Sequence, residues 1–302
     1  MQIETFKLFT DLAETGSFSK AAKANQITQS AVSQQIRALE NRFRVTLIER
    51  GPRTFALTQE GEAFLSSARE ILNIVNSLGD RLLELQNVIA GELKIAVIYS
   101  IGLHELPPYL KAFRAKHPDV EVHVEYRRSW EIYGLVQSGE VDIGLVSYPA
   151  KRHGLLCEPF SKDRLLLICH PNHRLARKKS IKLREIEGEK FIAFEPDQPT
   201  RKVLDKHFRE EGIAVLPAIE FDNIETVKRA VEIENGISIV PENTVNQEVE
   251  NGALAAVEIA DPEMWRPLGI VTKRSRARSP AQKEFVSMLK NSAEKSADTN
   301  HE

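Results

Sequence analysis

Apolar positions in the first 58 residues fall at helical spacing and then switch to the alternation of short strands. Ile3, Phe6, Phe9 and Leu12 recur every three or so residues, which predicts a helix that Gly16 stops. Ser17 or Ser19 is placed to cap a short second helix carrying Ala21, Ala22 and Ala24, and Asn25 and Thr28 punctuate the stretch after it. Thr28 suits the N-cap of a third helix from Gln29 to about Arg42. Thr46 to Arg50 and Thr54 to Leu57 read as strands joined by a Gly51-Pro52 turn. Three helices and a small hairpin are the layout of a winged helix-turn-helix.

Between Thr58 and Ile89 the pattern becomes a heptad seam. Phe64, Ala68, Ile71, Val75, Leu78, Leu82, Leu85 and Ile89 are separated by alternating steps of four and three. Thr58 can cap this helix, and Glu60 and Glu62 suit the positive end of its dipole. Uninterrupted, it would extend about 45 Å. Lying on a globular core is the alternative, but so long a rod would be left in search of a surface. A dimerising seam through Phe64, Ile71, Val75, Leu78, Leu82 and Leu85 is therefore expected.

From Gly91 onward strands alternate with helices. Strands are predicted at Leu93–Ile98, Val120–Tyr126, Val141–Ser147, Leu165–Cys169, Phe191–Phe194, Ile219–Phe221 and Ile237–Val240. Helices are predicted at Glu105–Lys116, through Gly134–Ser138, at Thr200–Glu211 and at Glu225–Glu234. That alternation indicates α/β architecture with a largely parallel sheet, as one large sheet or two lobes. The polar tail from Asn291 to Glu302 reads as disordered. The expected division is 1–58, a linker helix at 59–90, and an α/β domain at 91–302. The whole is an α+β multidomain chain.

Composition narrows the class. Hydrophobic residues make up 42% of 302, enough for real cores, and the net charge of −2 names no partner. The head is the basic end, with eight Lys or Arg against five Asp or Glu in residues 1–58, a weak pointer to nucleic acid. Two cysteines, Cys157 and Cys169, cannot build a disulfide framework. No signal peptide is readable and no apolar run reaches the roughly 18 residues of a membrane span. A soluble cytoplasmic protein with no membrane partner is expected.

The third helix carries the most chemistry. Val32, Ile36 and Leu39 face inward, so Gln29, Ser30, Ser33, Gln34 and Arg37 face out. A plain solvent face would be rich in Lys and Glu. Gln pairs bidentately with adenine, Arg with guanine, and Ser with either. Arg50 and Arg53 flank the hairpin turn, where a wing meets phosphate or the minor groove. Double-stranded DNA is the expected partner.

The run FSKAAKANQITQSAVSQQIRALENRFRVTLIER, followed by LTQEGEAFL, resembles the LysR-type transcriptional regulators of bacteria. The resemblance extends from Phe6 to about Leu289. It implies a winged helix-turn-helix head, a dimerising linker helix and a periplasmic-binding-protein-like sensor of two lobes. Lobe I would comprise about 91–161 and 267–290, and lobe II about 162–266. It also implies a homodimer or homotetramer, an effector in the interlobe cleft, and contact with RNA polymerase.

Helix N-termini facing such a cleft offer N–H donors and partial positive charge, so a small anionic effector is expected. By resemblance, IAVIYSIG places Tyr99 and Ser100 in the pocket, and YRRSW places Ser129 there with Arg127 and Arg128 beside it. FEPDQPTRKVL places Thr200 and Arg201, with Gln198-Pro199 where many members have Ser-Gly, and Asn223 is a fourth candidate. For each hydroxyl, an ordinary helix cap is the alternative. The carbon-fixation and sulfur-assimilation regulators of the family are the nearest in character. The family's peroxide sensors carry cysteines in the segment matching Phe194 to Leu204, and this chain has none there. His170 and His173 resemble the family's His-Pro-Leu-Ala turn rather than a metal pair. No catalytic, metal or cofactor motif is present, so no enzyme is expected. A binding protein tethered by its head would need export, and an architectural DNA binder would need neither the base-reading face nor the long sensor.

Overall fold

The structure, a computed structural model, describes residues 2–50, 55–85, 88–233, 236–274 and 278–299. Two compact units meet in sequence at Val88 and Ile89. In the first, α1 (Ile3–Thr15) buries Phe6, Leu8, Phe9 and Leu12 and ends at Gly16, whose φ of 58° lets its N–H donate back to Leu12. The side chain of Ser17 caps α2 (Phe18–Ala24) by accepting from Lys20 N–H. That of Thr28 caps α3 (Gln29–Phe43) by accepting from Ala31 N–H. β1 (Ile48–Arg50) and β2 (Phe55–Leu57) pair antiparallel. Leu8, Phe9, Ala21, Val32, Ile36, Leu39, Leu47 and Leu65 share one core.

α4 (Gln59–Leu85) starts where Thr58 Oγ1 accepts from Gly61 N–H while its own hydroxyl donates to Thr46. Gly61 is required there, because a Cβ would overlap the carbonyl oxygen of Leu47. This is the physical content of the Leu-Thr-x-x-Gly pattern. The expected seam is shortened at both ends. Phe64 is spent inside the head, its ring 4.8 Å from Phe9, 5.7 Å from Phe43 and 5.9 Å from Phe6, and Ala68 is fully buried. At the other end the described part of α4 runs to Leu85, and Ile89 packs on the core of the second unit.

The second unit opens with β3 (Gly91–Val97), buried at Leu93, Ile95, Ala96 and Val97, as a central parallel strand must be. Then come α5 (Leu106–Lys116), β4 (Val120–Tyr126), α6 (Ser129–Ser138) and β5 (Ile143–Ser147). β6 (Leu155–Cys169) is a fifteen-residue strand, followed by β7 (Ser180–Lys182), β8 (Phe191–Phe194), α7 (Pro199–Glu210) and β9 (Pro217–Phe221). The chain closes with α8 (Ile224–Glu232), β10 (Ser238–Pro241), α9 (Asn246–Glu250), β11 (Ala255–Asp261), β12 (Trp265–Lys273) and α10 (Pro280–Thr299).

β6 belongs to both lobes. Its first ten residues pair with β12 beside the parallel set β4-β3-β5. Its last five run antiparallel to β10 on one side and β11 on the other. β8 and β9 are parallel, and Phe191 bridges to Ile237 just before β10. Each lobe holds an apolar core on both faces of its half-sheet. The sheet is thus mixed rather than largely parallel, because the chain crosses between lobes along β6 and returns between β11 and β12. Neither β11 nor β12, nor the first ten residues of β6, is legible as a strand from the local pattern.

The tail expected to be disordered from Asn291 departs from the fold as found. α10 carries on through Thr299, because Ala293, Glu294, Lys295 and Ala297 are helix formers and no Gly or Pro interrupts them. Residues 300–302 lie outside the described part.

Candidate functional site

Two surfaces carry the chemistry. On α3, burying Val32, Ile36 and Leu39 turns Gln29, Ser30, Gln34 and Arg37 outward, with Ser33 half-buried at the edge. Ser19 Oγ donates to Gln29 Oε1 at 3.0 Å, which leaves the amide protons of Gln29 facing away from that contact. Ser30 Oγ lies 2.9 Å from the Thr28 hydroxyl. Gln34 and Arg37 make no hydrogen bond or ion pair among the described residues. The side chain of Arg50, and Arg53 with its turn, lie outside the described residues.

Along α4, Leu78, Leu82 and Leu85 are 59, 55 and 81% exposed, and Ile71 and Val75 are half-buried. Ile74, absent from the heptad reading, is 68% exposed beside them. An apolar stripe this open on a 27-residue helix is unusual for a helix that stands alone.

In the second unit a cavity of about 440 Å³ lies where the lobes meet. Tyr99, Ser100, Ser129, Thr200 and Asn223 all line it, so the structure gathers five of the six expected ligand residues. The sixth, Arg201, is a correction. Its guanidinium is buried in lobe II, donating to Phe194 O at 2.7 Å, Glu220 at 2.7 Å and Asp205 at 2.8 Å. Burial alone would lower its pKa, but the two carboxylates outweigh that and raise it. Position 201 lies on the inner side of α7, so the charge is consumed within the lobe.

The cap alternative separates the remaining candidates. Asn223 is a cap, its Oδ1 accepting from Thr226 N–H at 3.0 Å. Ser100 makes no cap bond and instead accepts from Arg266 Nη1 at 2.8 Å, which leaves its own proton free. Thr200 sits one residue inside α7, where Pro199 removes an N–H and Gln198 makes no side-chain cap.

Sequence reasoning missed what lies beneath. Arg266 on β12 faces Asp163 on β6 in register, and the buried pair is bidentate at 2.9 and 2.6 Å. Tyr148, just after β5, lines the same cavity with φ of 49°. Further contacts among the described residues join the lobes around the cleft. Arg128 reaches Glu195 at 3.0 Å and Asp197 at 3.3 Å, and Glu195 foremost raises its pKa. His104 lies 2.8 Å from Glu225, and Asn243 donates to Glu105 at 2.8 Å. Only the alternation of polar residues late in β6 and at the start of β12 hints at Asp163 and Arg266.

The other candidates stay structural. His173 caps the turn Arg174–Arg177 through Nδ1 and lies 3.2 Å from Glu189, and His170 Nδ1 accepts from Asn172 N–H. Burial raises the pKa of both thiols, Cys169 to about 11, so they stay protonated at neutral pH. Glu92, Glu121 and His123 form an exposed cluster on β3 and β4, with Lys94 already 3.2 Å from Glu92.

Residues 3–62 match the family model of the bacterial regulatory helix-turn-helix protein, lysR family, and residues 86–294 match that of the LysR substrate binding domain. A probable RuBisCO transcriptional regulator of Chlorokybus atmophyticus is 31% identical over 91% of this chain and 90% of its own. A full-length OxyR variant from Pseudomonas aeruginosa superposes with a TM-score of 0.79 at 19% identity, covering 97% of this chain and 94% of that one. CbnR complexed with its target DNA superposes at 0.70 and 24% identity, covering 97% and 100%. At these identities the two structures speak for the fold alone.

Proposed function

Because this chain belongs to the LysR-type family of transcriptional regulators, we propose that its α3 face reads operator DNA under the control of an anionic effector held in the interlobe cavity. The chain is a DNA-binding transcriptional regulator with an effector-binding domain, not an enzyme. Gln29, Ser30, Ser33, Gln34 and Arg37 are the base-reading set, with Arg50 and Arg53 of the wing on the backbone. α4 pairs two chains through Ile71, Ile74, Val75, Leu78, Leu82 and Leu85, and the working form is a homodimer or homotetramer. No helix among the described residues is long and apolar enough to cross a membrane. Chromosomal DNA as target places the work in the cytoplasm, with RNA polymerase as the downstream partner.

The observation that carries the effector reading is the bond from Arg266 to Ser100. It turns a serine hydroxyl at a cavity wall into a donor with no acceptor among the described residues, in a cavity that the first residues of α7 also line. Both features favour an anion. An anion seated there also competes with Glu195 and Asp197 for Arg128, so it shifts the equilibrium between lobe arrangements. That shift, passed to the paired heads, is the allosteric step.

Two measurements test the two halves. Selection from a random duplex pool with the full-length protein should return a two-fold motif with half-sites about one helical turn apart. An unenriched pool ends the base-reading assignment. Titration calorimetry with small carboxylates, phosphates and sulfur oxyanions should find a ligand, and binding of cations or neutral compounds alone ends the anion reading.

A further inference from the structure

Two short turns meet across the lobes, outside the cavity lining. One is the single π-helical turn Ile101–Glu105 of lobe I, the other the 3-10 turn Glu242–Thr244 of lobe II. Each is anchored in its own lobe. Ile101 and Gly102 are buried, and a Cβ at Gly102 would overlap the Tyr126 ring and the Val97 side chain. Thr244 is buried, its hydroxyl donates to Pro241 O at 2.6 Å, and its carbonyl accepts from Lys228 Nζ at 2.9 Å. With both turns fixed, a bond between them depends on the spacing of the lobes.

That bond runs from Asn243 Nδ2 to Glu105 Oε2 at 2.8 Å, between residues 138 apart in the chain. It uses half of the amide. Asn243 Oδ1 is buried and has no hydrogen-bond partner among the described residues, a state that buried acceptors rarely keep. An ionised Glu105 cannot satisfy it, because a carboxylate only accepts. A protonated Glu105 can. Its O–H donates to Oδ1 while the amide N–H donates to the other carboxyl oxygen, closing a two-bond ring. The proton comes from water, and no covalent bond of the chain changes otherwise.

The surroundings favour that proton. Burial holds the Glu105 carboxyl above the ordinary range, and Asp163 adds to the rise, while the Asn243 bond and Arg266 oppose it. The other charged groups here have partners of their own. Asp163 and Arg266 pair with each other. His104, on the same turn as Glu105, lies 2.8 Å from Glu225, and Lys228 holds Glu225 and Glu248 at 3.0 and 2.8 Å. Glu242, beside Asn243, is exposed.

We propose that Glu105 and Asn243 form a proton-operated clasp between the lobes, which closes when Glu105 takes up a proton and loosens when it ionises. The clasp rests on the reading that the lobes change arrangement, and not on the chemistry of the effector, because neither residue lines the cavity. A carboxyl raised by folding gives stability that is fully present below its unfolded value and is lost as the pH rises through the folded one. Acid therefore biases the sensor toward the clasped arrangement before any effector binds.

Hydrogen-exchange mass spectrometry on the full-length protein without effector, corrected for the intrinsic pH dependence of exchange, reads both turns at once. In the wild type, protection of peptides spanning the two turns should rise roughly tenfold from about pH 8 to about pH 5. Glu105→Gln, whose amide supplies an N–H to Oδ1 at every pH, should stay protected throughout. Asn243→Ala should stay poorly protected throughout. A wild type without pH dependence, but better protected than Asn243→Ala, overturns the clasp and leaves the lobe reading standing. Equal protection in all three proteins at every pH overturns both. A rise with acid that survives in Glu105→Gln and disappears in His104→Gln also overturns the proposal, since the proton would then act on His104.

Discussion

On α3, Gln34 and Arg37 stand outward with no partner among the described residues, whereas around the sensor cavity Ser100, Arg266 and Asp163 are bonded to one another, and Arg128 to Glu195 and Asp197, before any ligand arrives. The difference follows from what each surface must meet. A duplex brings its own donors and acceptors in a fixed groove, so the helix need only be rigid and its side chains free. A small molecule brings few groups, so the cavity must hold its own polar atoms in place beforehand. Substitutions on α3 should therefore change binding and leave stability alone. Those under the cavity should change both.

The largest effect is expected between the two regions. Replacing Leu78 and Leu82 together by Asp places two charges in the pairing stripe of α4, each costing several kcal/mol, or about 3 or more, if buried unpaired. Sedimentation should show loss of the dimer and DNA binding should fail, with the sensor's thermal transition retained. A persistent dimer would show that α4 pairs by some other face. Next comes Asp163→Ala, which strands Arg266 in a buried site and should cost about 3–5 kcal/mol. In calorimetry the sensor's transition should drop while the head's holds. If the sensor melts as before, the cavity floor is not the rigid element described.

Arg37→Ala inverts that pattern. It should weaken specific DNA binding by about 1–3 kcal/mol and relax one base per half-site, with no change in thermal midpoint. Equal binding to matched and mismatched duplexes by both proteins would remove Arg37 from the reading set.

The smallest effect concerns pH. Burial would raise the Glu225 carboxyl, but His104 across the cleft and Lys228 beside it outweigh this and lower its pKa. A depressed carboxylate stabilises the fold above its unfolded pKa, near 4.3 for a free Glu. That contribution is lost as the pH falls through the lower folded value. Urea melts of wild type and Glu225→Gln should differ at neutral pH and converge at acid pH. A constant gap at all pH values would detach Glu225 from the interlobe contact.

The head shows how much a local pattern determines. The caps Ser17, Thr28 and Thr58, the stop at Gly16 and the buried face of α3 follow from spacing and from side-chain chemistry within a few residues. The positions of Ser100, Ser129 and Thr200 came instead from the family resemblance, which supplies what no local pattern does. What lay beyond the sequence was every choice among distant partners. Phe64 sits in the heptad, yet Phe6, Phe9 and Phe43 claim it. Arg201 adjoins Thr200, yet one step along α7 turns it away from the cavity toward Glu220. Arg266 and Asp163 are 103 residues apart, and only the pairing of β12 with β6 makes them one group. Capping and periodicity are decided by neighbours in the chain, whereas burial and charge compensation are decided by whatever the folded sheet brings alongside.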